Sequence, residues 1–195
     1  MSTSIIAIYG PAGSGKSSVS KQVARELGFG YLDTGAAYRA LAWASLNLNG
    51  FSLDELETMN LRLDFDYKIS LDPDNYWVKV GTQDLTAAIR EPQVAEYVSK
   101  VARIPAVRSY MKSLTNRLVA ESGMTSVVVE GRDITTVVAP DAKIRILLTA
   151  SEAVRLRRRS AELSESSAAS VMRQVTERDA SDSKVVDFMT PAPGV

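Results

Sequence analysis

Two residue types are missing altogether from these 195 residues, cysteine and histidine. Without them there is no Ser-His-Asp triad, thiol nucleophile, disulfide, thiolate-or-imidazole zinc site or His-ligated haem. Acid–base chemistry falls to Asp, Glu, Lys or Tyr, or is not needed. An excess of charge is absent too. The 23 Lys+Arg balance 23 Asp+Glu, which argues against a general nucleic-acid binder and leaves only local basic clusters. No apolar run approaches the ~18–20 residues of a membrane span. Met1-Ser2-Thr3-Ser4 also lacks the charge of a signal-peptide start. The expectation is a soluble, cytoplasmic protein with no membrane partner. Its length suits one domain of about 100–200 residues with a sound core.

What is present reads as alternating strands and helices. Ile5-Ile6-Ala7-Ile8-Tyr9 is a short β-branched run ending at Gly10, the texture of a buried parallel strand. After a glycine-rich turn, Val19, Val23 and Leu27 recur at i, i+4, i+8 and Gly28 stands where a helix C-cap belongs. Phe29 to Leu32 predicts a second strand, followed by a loop Asp33-Thr34-Gly35 onto another helix, and residues 53–61 a short helix. Leu63, Phe65, Tyr67, Ile69 and Leu71 then alternate with polar residues. Asp72-Pro73-Asp74-Asn75 supplies a turn, and Tyr76, Val78 and Val80 alternate on the return. This is a hairpin inserted into an otherwise parallel α/β chain. Val94, Val98 and Val101 predict one helix after Pro92; Val107, Met111, Leu114 and Leu118 predict another after Pro105. Val127 to Val129 and Ile144 to Leu148 return to buried-strand texture. From Ser151 to about Asp182 the pattern is charged and helical.

Gly10-Pro11-Ala12-Gly13-Ser14-Gly15-Lys16-Ser17 satisfies G-x-x-x-x-G-K-[ST] between a strand and a helix, with Ser18 next in the helix. Backbone N–H groups must curl around a phosphate, which a Cβ at the glycines would obstruct. The helix dipole favours the same anion, Lys16 reaches the β/γ-phosphates, and the Ser17 hydroxyl is a Mg²⁺ ligand. Glu130 ends an apolar strand as a metal- or water-positioning carboxylate would, although an ordinary strand-end glutamate reads the same. Arg132-Asp133 follows where open α/β sheets hold ligands, with a plain ion pair as the bland alternative. Arg155, Arg158 and Arg159 share one helical face. They form either a solvated basic surface or a lid over a transferring phosphoryl group. No Asn/Thr-Lys-x-Asp stretch for reading guanine occurs late in the chain.

Beyond the P-loop, Leu32-Asp33-Thr34-Gly35-Ala36-Ala37-Tyr38-Arg39 resembles the L-D-[ST]-G-A-x-Y-R stretch of the bacterial cytidylate kinase family. Ser99 to Arg108 is similar to its S-x-V-A-x-x-P-x-V-R, Glu130-Gly131-Arg132-Asp133-Ile134 to its E-G-R-D-I, and Arg178-Asp179 with Asp182-Ser183 to its R-D-x-x-D-S. The resemblance implies a P-loop NTPase three-layer α/β/α core with a central parallel sheet (about 1–40, 124–150 and 165–195). It also implies an inserted monophosphate-binding subdomain carrying the hairpin (about 41–123) and a helical lid (about 151–164). Thr34, Arg39 and Arg132 would hold the acceptor phosphate, Ser99, Arg108 and Asp133 would read cytosine, and Arg178 and Asp182 would bind ribose. Arg155, Arg158 and Arg159 match the lid, and Ser17 with Glu130, through water, the Mg²⁺ position. Cytosine's N4 donor beside N3 and O2 acceptors complements a carboxylate and a guanidinium.

The activity so implied is ATP + (d)CMP → ADP + (d)CDP with Mg²⁺, by a monomer acting on small molecules and not on nucleic acid. Two rivals are a kinase of the same core with a UMP, shikimate or gluconate acceptor, and a nucleotide-dependent switch. The sequence departs from the family at Thr135, where glycine is usual, and at Lys184-Val185-Val186, where an arginine is usual. Thr115-Asn116 stands where Gln-Arg is usual. Relatives continue past the position of Val195 with a strand and a helix, implying a shortened or incompletely represented chain.

Overall fold

The computed structural model describes residues 3–58, 65–162, 187 and 189–195, the side chains of 159–162 excepted. In chain order the elements are β1 (Ser4–Tyr9), α1 (Lys16–Leu27), β2 (Gly30–Asp33), α2 (Thr34–Asn47), α3 (Leu53–Glu57), β3 (Tyr67–Ile69), β4 (Val78–Val80) and β5 (Gln83–Asp84). They continue with α4 (Pro92–Ala102), α5 (Pro105–Ala120), β6 (Ser126–Gly131), β7 (Ile144–Leu147) and α6 (Glu152–Glu162).

Alternation along the strands builds three layers. The main sheet runs β2-β6-β1-β7, all parallel, with Ile5 opposite Val127 and Ile8 opposite Glu130. Ala7, Leu32, Val127 and Val129 face a core shared with α2, α4 and α5. Their neighbours Ile6, Ile8, Tyr31 and Val128 face the opposite side, against Val23 and Ala24 of α1. Because β6 lies between β1 and β2, the connections after β1 and β6 leave from adjacent strand ends, which opens a crevice there. The fold class is the expected P-loop α/β arrangement. The inserted hairpin is a small antiparallel sheet, β3-β4-β5, pairing Tyr67 with Val80 and Ile69 with Val78.

Three local expectations are revised. The apolar stripe of α1 is its buried face only at Val23. Val19 and Leu27 are 42% and 52% exposed, while Ser20 and Ala24 are buried, because a helix set flush on a sheet selects small side chains at the contact. Ile144 and Ile146 are 49% and 39% exposed, since β7 lies at the margin of the described sheet with one strand neighbour. The helix after Ser52 ends at Glu57; the remainder of the 53–61 expectation lies partly outside the described residues. The helix boundaries expected at Gly28, Pro92 and Pro105 are present, and α3 adds a cap of its own. Gly28 closes α1 at φ 65°, Pro92 and Pro105 begin α4 and α5, and Ser52 with Glu55 forms a capping box.

Candidate active site

The turn between β1 and α1 is shaped by Gly10, Gly13 and Gly15, with φ of 145°, 73° and 94°. Space as well as dihedral requires two of them. A Cβ on Gly10 would meet the Leu148 carbonyl oxygen, and one on Gly13 would lie 2.8 Å from that of Arg155. Gly15 is the N-cap of α1 and no side chain caps that end. The N–H groups of that end and the helix dipole are therefore presented to an anion. Pro11 and Ser14 are buried, and Ser18, the third residue of α1, is exposed.

Cations crowd this loop. Lys16 Nζ donates to the Pro11 carbonyl at 2.8 Å. From α6, Arg155 donates to the Ala12 carbonyl at 3.1 Å and Arg158 to the Ser14 carbonyl at 2.9 Å. Arg155 is buried by this packing, so the basic face of α6 is docked on the phosphate-binding turn. The side chain of Arg159 lies outside the described residues.

At the end of β6, Glu130 is only 3% exposed. It accepts a hydrogen bond from Tyr31 at 2.7 Å and another from the Ser17 hydroxyl. The register puts Asp33 opposite Glu130, so two carboxylates share one buried strand end. Burial first, then the Asp33 charge, push the Glu130 carboxyl above its ordinary range; Lys16, Ser17 and Tyr31 draw it back. Asp33 is held by Arg39 at 2.6 Å and also caps α2, accepting from the Ala36 N–H. Thr34 donates to the Glu130 carbonyl at 2.8 Å, which ties the β2–α2 junction to β6.

Three residues further on, Asp133 pairs with Arg108 of α5 at 2.9 Å. This pair spans 25 positions of sequence. Ser99 is half-buried on α4, the helix before. Arg132 is half-buried between Gly131 and Asp133. Thr135 is buried in a wide helical turn at 134–138. Arg178 and Asp182 lie outside the described residues. Sequence motifs alone do not single out Asp33 and Tyr31 as site residues. A signal exists for Asp33, a carboxylate closing a short strand as Glu130 does.

A glycine-rich loop on a helix N-terminus, a lysine and arginines around it, and a buried carboxylate at the adjacent strand end define a P-loop phosphotransferase. The family model described as cytidylate kinase matches residues 6–195, and the chain belongs to the cytidylate kinase family. A cytidylate kinase of Cutibacterium acnes is 42% identical, the match covering 100% of this chain and 88% of the relative. One from Carboxydothermus hydrogenoformans is 43% identical, covering 91% and 80%. A crystal structure of TT1252 from Thermus thermophilus is similar at 22% identity and a TM-score of 0.45, covering 95% of this chain and 86% of that one.

Proposed function

We propose that this chain transfers the γ-phosphoryl group of ATP to CMP or dCMP, giving ADP and CDP or dCDP. One observation carries the reading. The segment Glu130 to Asp133 reaches both halves of the crevice, through Glu130 to Ser17 of the P-loop and through Asp133 to Arg108 of α5. A donor and an acceptor bound to those halves would meet across this segment.

The acceptor's phosphate is already an anion at neutral pH, so its oxygen attacks the γ-phosphorus without a general base. The new O–P bond forms as the bond to the β-phosphate oxygen breaks, and ADP leaves with that electron pair. What remains is alignment and charge neutralisation. In this reading Gly10 to Ser18 cradle the triphosphate, and Lys16 leaves the Pro11 carbonyl for the β/γ oxygens. Arg132, Arg155, Arg158 and Arg159 surround the migrating group. Thr34 and Arg39 hold the acceptor phosphate, and Ser99, Arg108 and Asp133 read the base. Arg178 and Asp182 take the ribose.

The residues present suit Mg²⁺. Ser17 and Glu130 offer hard oxygen donors, and the Asp33–Glu130 carboxylates leave an excess of buried negative charge. Among the described residues no cluster of three or more acidic groups forms a cage; Mg²⁺ ordinarily relies on few carboxylates, with substrate phosphates and water completing its shell. When bound it would neutralise charge on the triphosphate. Residues 41–123 and 151–164 would close as insert and lid and exclude water.

The test is the rate of ADP release with CMP, dCMP, UMP and AMP side by side. Turnover with CMP or dCMP at least about tenfold above UMP and AMP supports the proposal. No acceptor-dependent ADP release, or preference for another acceptor, overturns it. Lys16→Ala should keep the fold and lower kcat by about 10²-fold or more; near-normal kcat removes Lys16 from its role.

A further inference from the structure

Two tyrosines of the inserted sheet remain unexplained by packing. Tyr67 is stacked on Phe65 with ring centroids 5.6 Å apart and is 5% exposed. Tyr76 lies just before β4, its ring 6.3 Å from that of Tyr31. Both hydroxyls are buried, and neither has a hydrogen-bond partner among the described residues. Arg39 Nε is in the same condition, while another nitrogen of that guanidinium holds Asp33. A buried phenol is usually hydrogen-bonded, and leaving one unpaired is costly. Three orphaned donors in one region therefore ask for a common acceptor.

The three lie within electrostatic reach of one another. The two phenols interact electrostatically with each other and with Arg39, and burial raises the pKa of both, so they are neutral O–H donors. Cations stand here beside the Asp33 and Glu130 carboxylates. Lys21 Nζ lies 4.4 Å from the Tyr76 ring centroid and the Arg90 guanidinium carbon 5.9 Å from it. Lys21 and Arg90 repel each other enough to lower the lysine pKa, after burial. Asp33 supplies opposing charge but is engaged by Arg39. An acceptor-only group with several lone pairs is what two phenols and a guanidinium N–H can satisfy together.

We propose that Tyr67 and Tyr76 are phosphate-contact residues of the acceptor site, donating their hydroxyls to the monophosphate held by Arg39. The inference rests on the acceptor reading of Arg39 given above and extends it to the inserted sheet. That sheet thereby gains a chemical role, since the hairpin carries two neutral donors to the anion and adds no charge near Asp33 and Glu130.

The experiment is calorimetric titration of CMP, cytidine and ATP into the wild type, Tyr67→Phe, Tyr76→Phe and the double variant, with thermal melts of each ligand-free protein. Each single variant should weaken CMP binding about three- to tenfold and the double variant more, with cytidine and ATP affinities unchanged. Because each substitution deletes an unsatisfied buried donor, the ligand-free melting temperature should stay level or rise. CMP affinity unchanged, or CMP and cytidine weakened alike, overturns the inference; so does a lower melting temperature, which marks the hydroxyls as structural. Failure of the wild type to bind CMP overturns the acceptor reading itself and is distinct from these outcomes.

Discussion

Glu130 is the residue where function and stability pull in opposite directions. Its carboxylate is buried beside Asp33 and its pKa is raised, burial being the larger cause. A group whose folded pKa is raised stabilises the fold fully below its ordinary pKa, and that contribution is lost as pH rises through the raised value. Replacing it with glutamine should therefore stabilise the ligand-free protein by about 1–2 kcal/mol at pH 7–8, or about 2–4 °C in Tm per kcal/mol. The gain should fade as pH falls towards about 4. Phosphoryl transfer should drop at the same time. Thermal melts over that pH range check it, and a lower Tm at neutral pH would show that the Tyr31 and Ser17 hydrogen bonds outweigh the burial cost. Asp133 offers a second residue-level test. Uracil presents O4 where cytosine presents an amino group, so Asp133→Asn should cut the CMP-over-UMP ratio of kcat/KM about tenfold. An unchanged ratio would remove Asp133 from base reading and leave its pairing with Arg108 structural.

At the scale of elements, close approach sets the terms. The first turn of α6 lies against Gly13, whose missing side chain is what permits it. Gly13→Ala, at φ 73° and with its Cβ 2.8 Å from the Arg155 carbonyl oxygen, should cost about 1–3 kcal/mol and displace α6 from the loop. A melt and an ATP titration together check it: lower Tm with weaker ATP binding is expected, and a neutral variant would show that the contact yields freely. The seating of α1 is similar. Ala24 is fully buried against the sheet and Val19 is exposed, so Ala24→Val should cost about 1–3 kcal/mol by overpacking. Val19→Ser should stay within about 0.5 kcal/mol. The reverse order in denaturant melts would restore the stripe expected from sequence spacing.

Over the whole molecule, the parts legible in the sequence are those fixed by local backbone chemistry. The Gly10–Ser17 turn, the Gly28 cap and the prolines opening α4 and α5 each follow from what one residue type permits. Val127 to Val129 read as a buried strand because β6 is covered on both faces. Apolar spacing fails where the partner surface decides burial, in α1 against the sheet and in β7 at its margin. The candidate site is legible as a residue set, since Ser17 meets Glu130 and Arg108 meets Asp133. Its wiring is not. Tyr31, Asp33 and the orphaned hydroxyls of Tyr67 and Tyr76 depend on register and on how the insert folds back, as where Tyr31 N–H donates to the Leu71 carbonyl at 2.8 Å and Arg25 pairs with Asp74 at 2.6 Å. No periodicity encodes those contacts.

The account turns on one transfer between two bound nucleotides, and following the phosphorus atom tests it most directly. With γ-labelled ATP and CMP, the label is expected in CDP, at one equivalent per ADP formed, with little released as inorganic phosphate. Label recovered as inorganic phosphate irrespective of CMP, or retained in ATP while both nucleotides are bound, would contradict it.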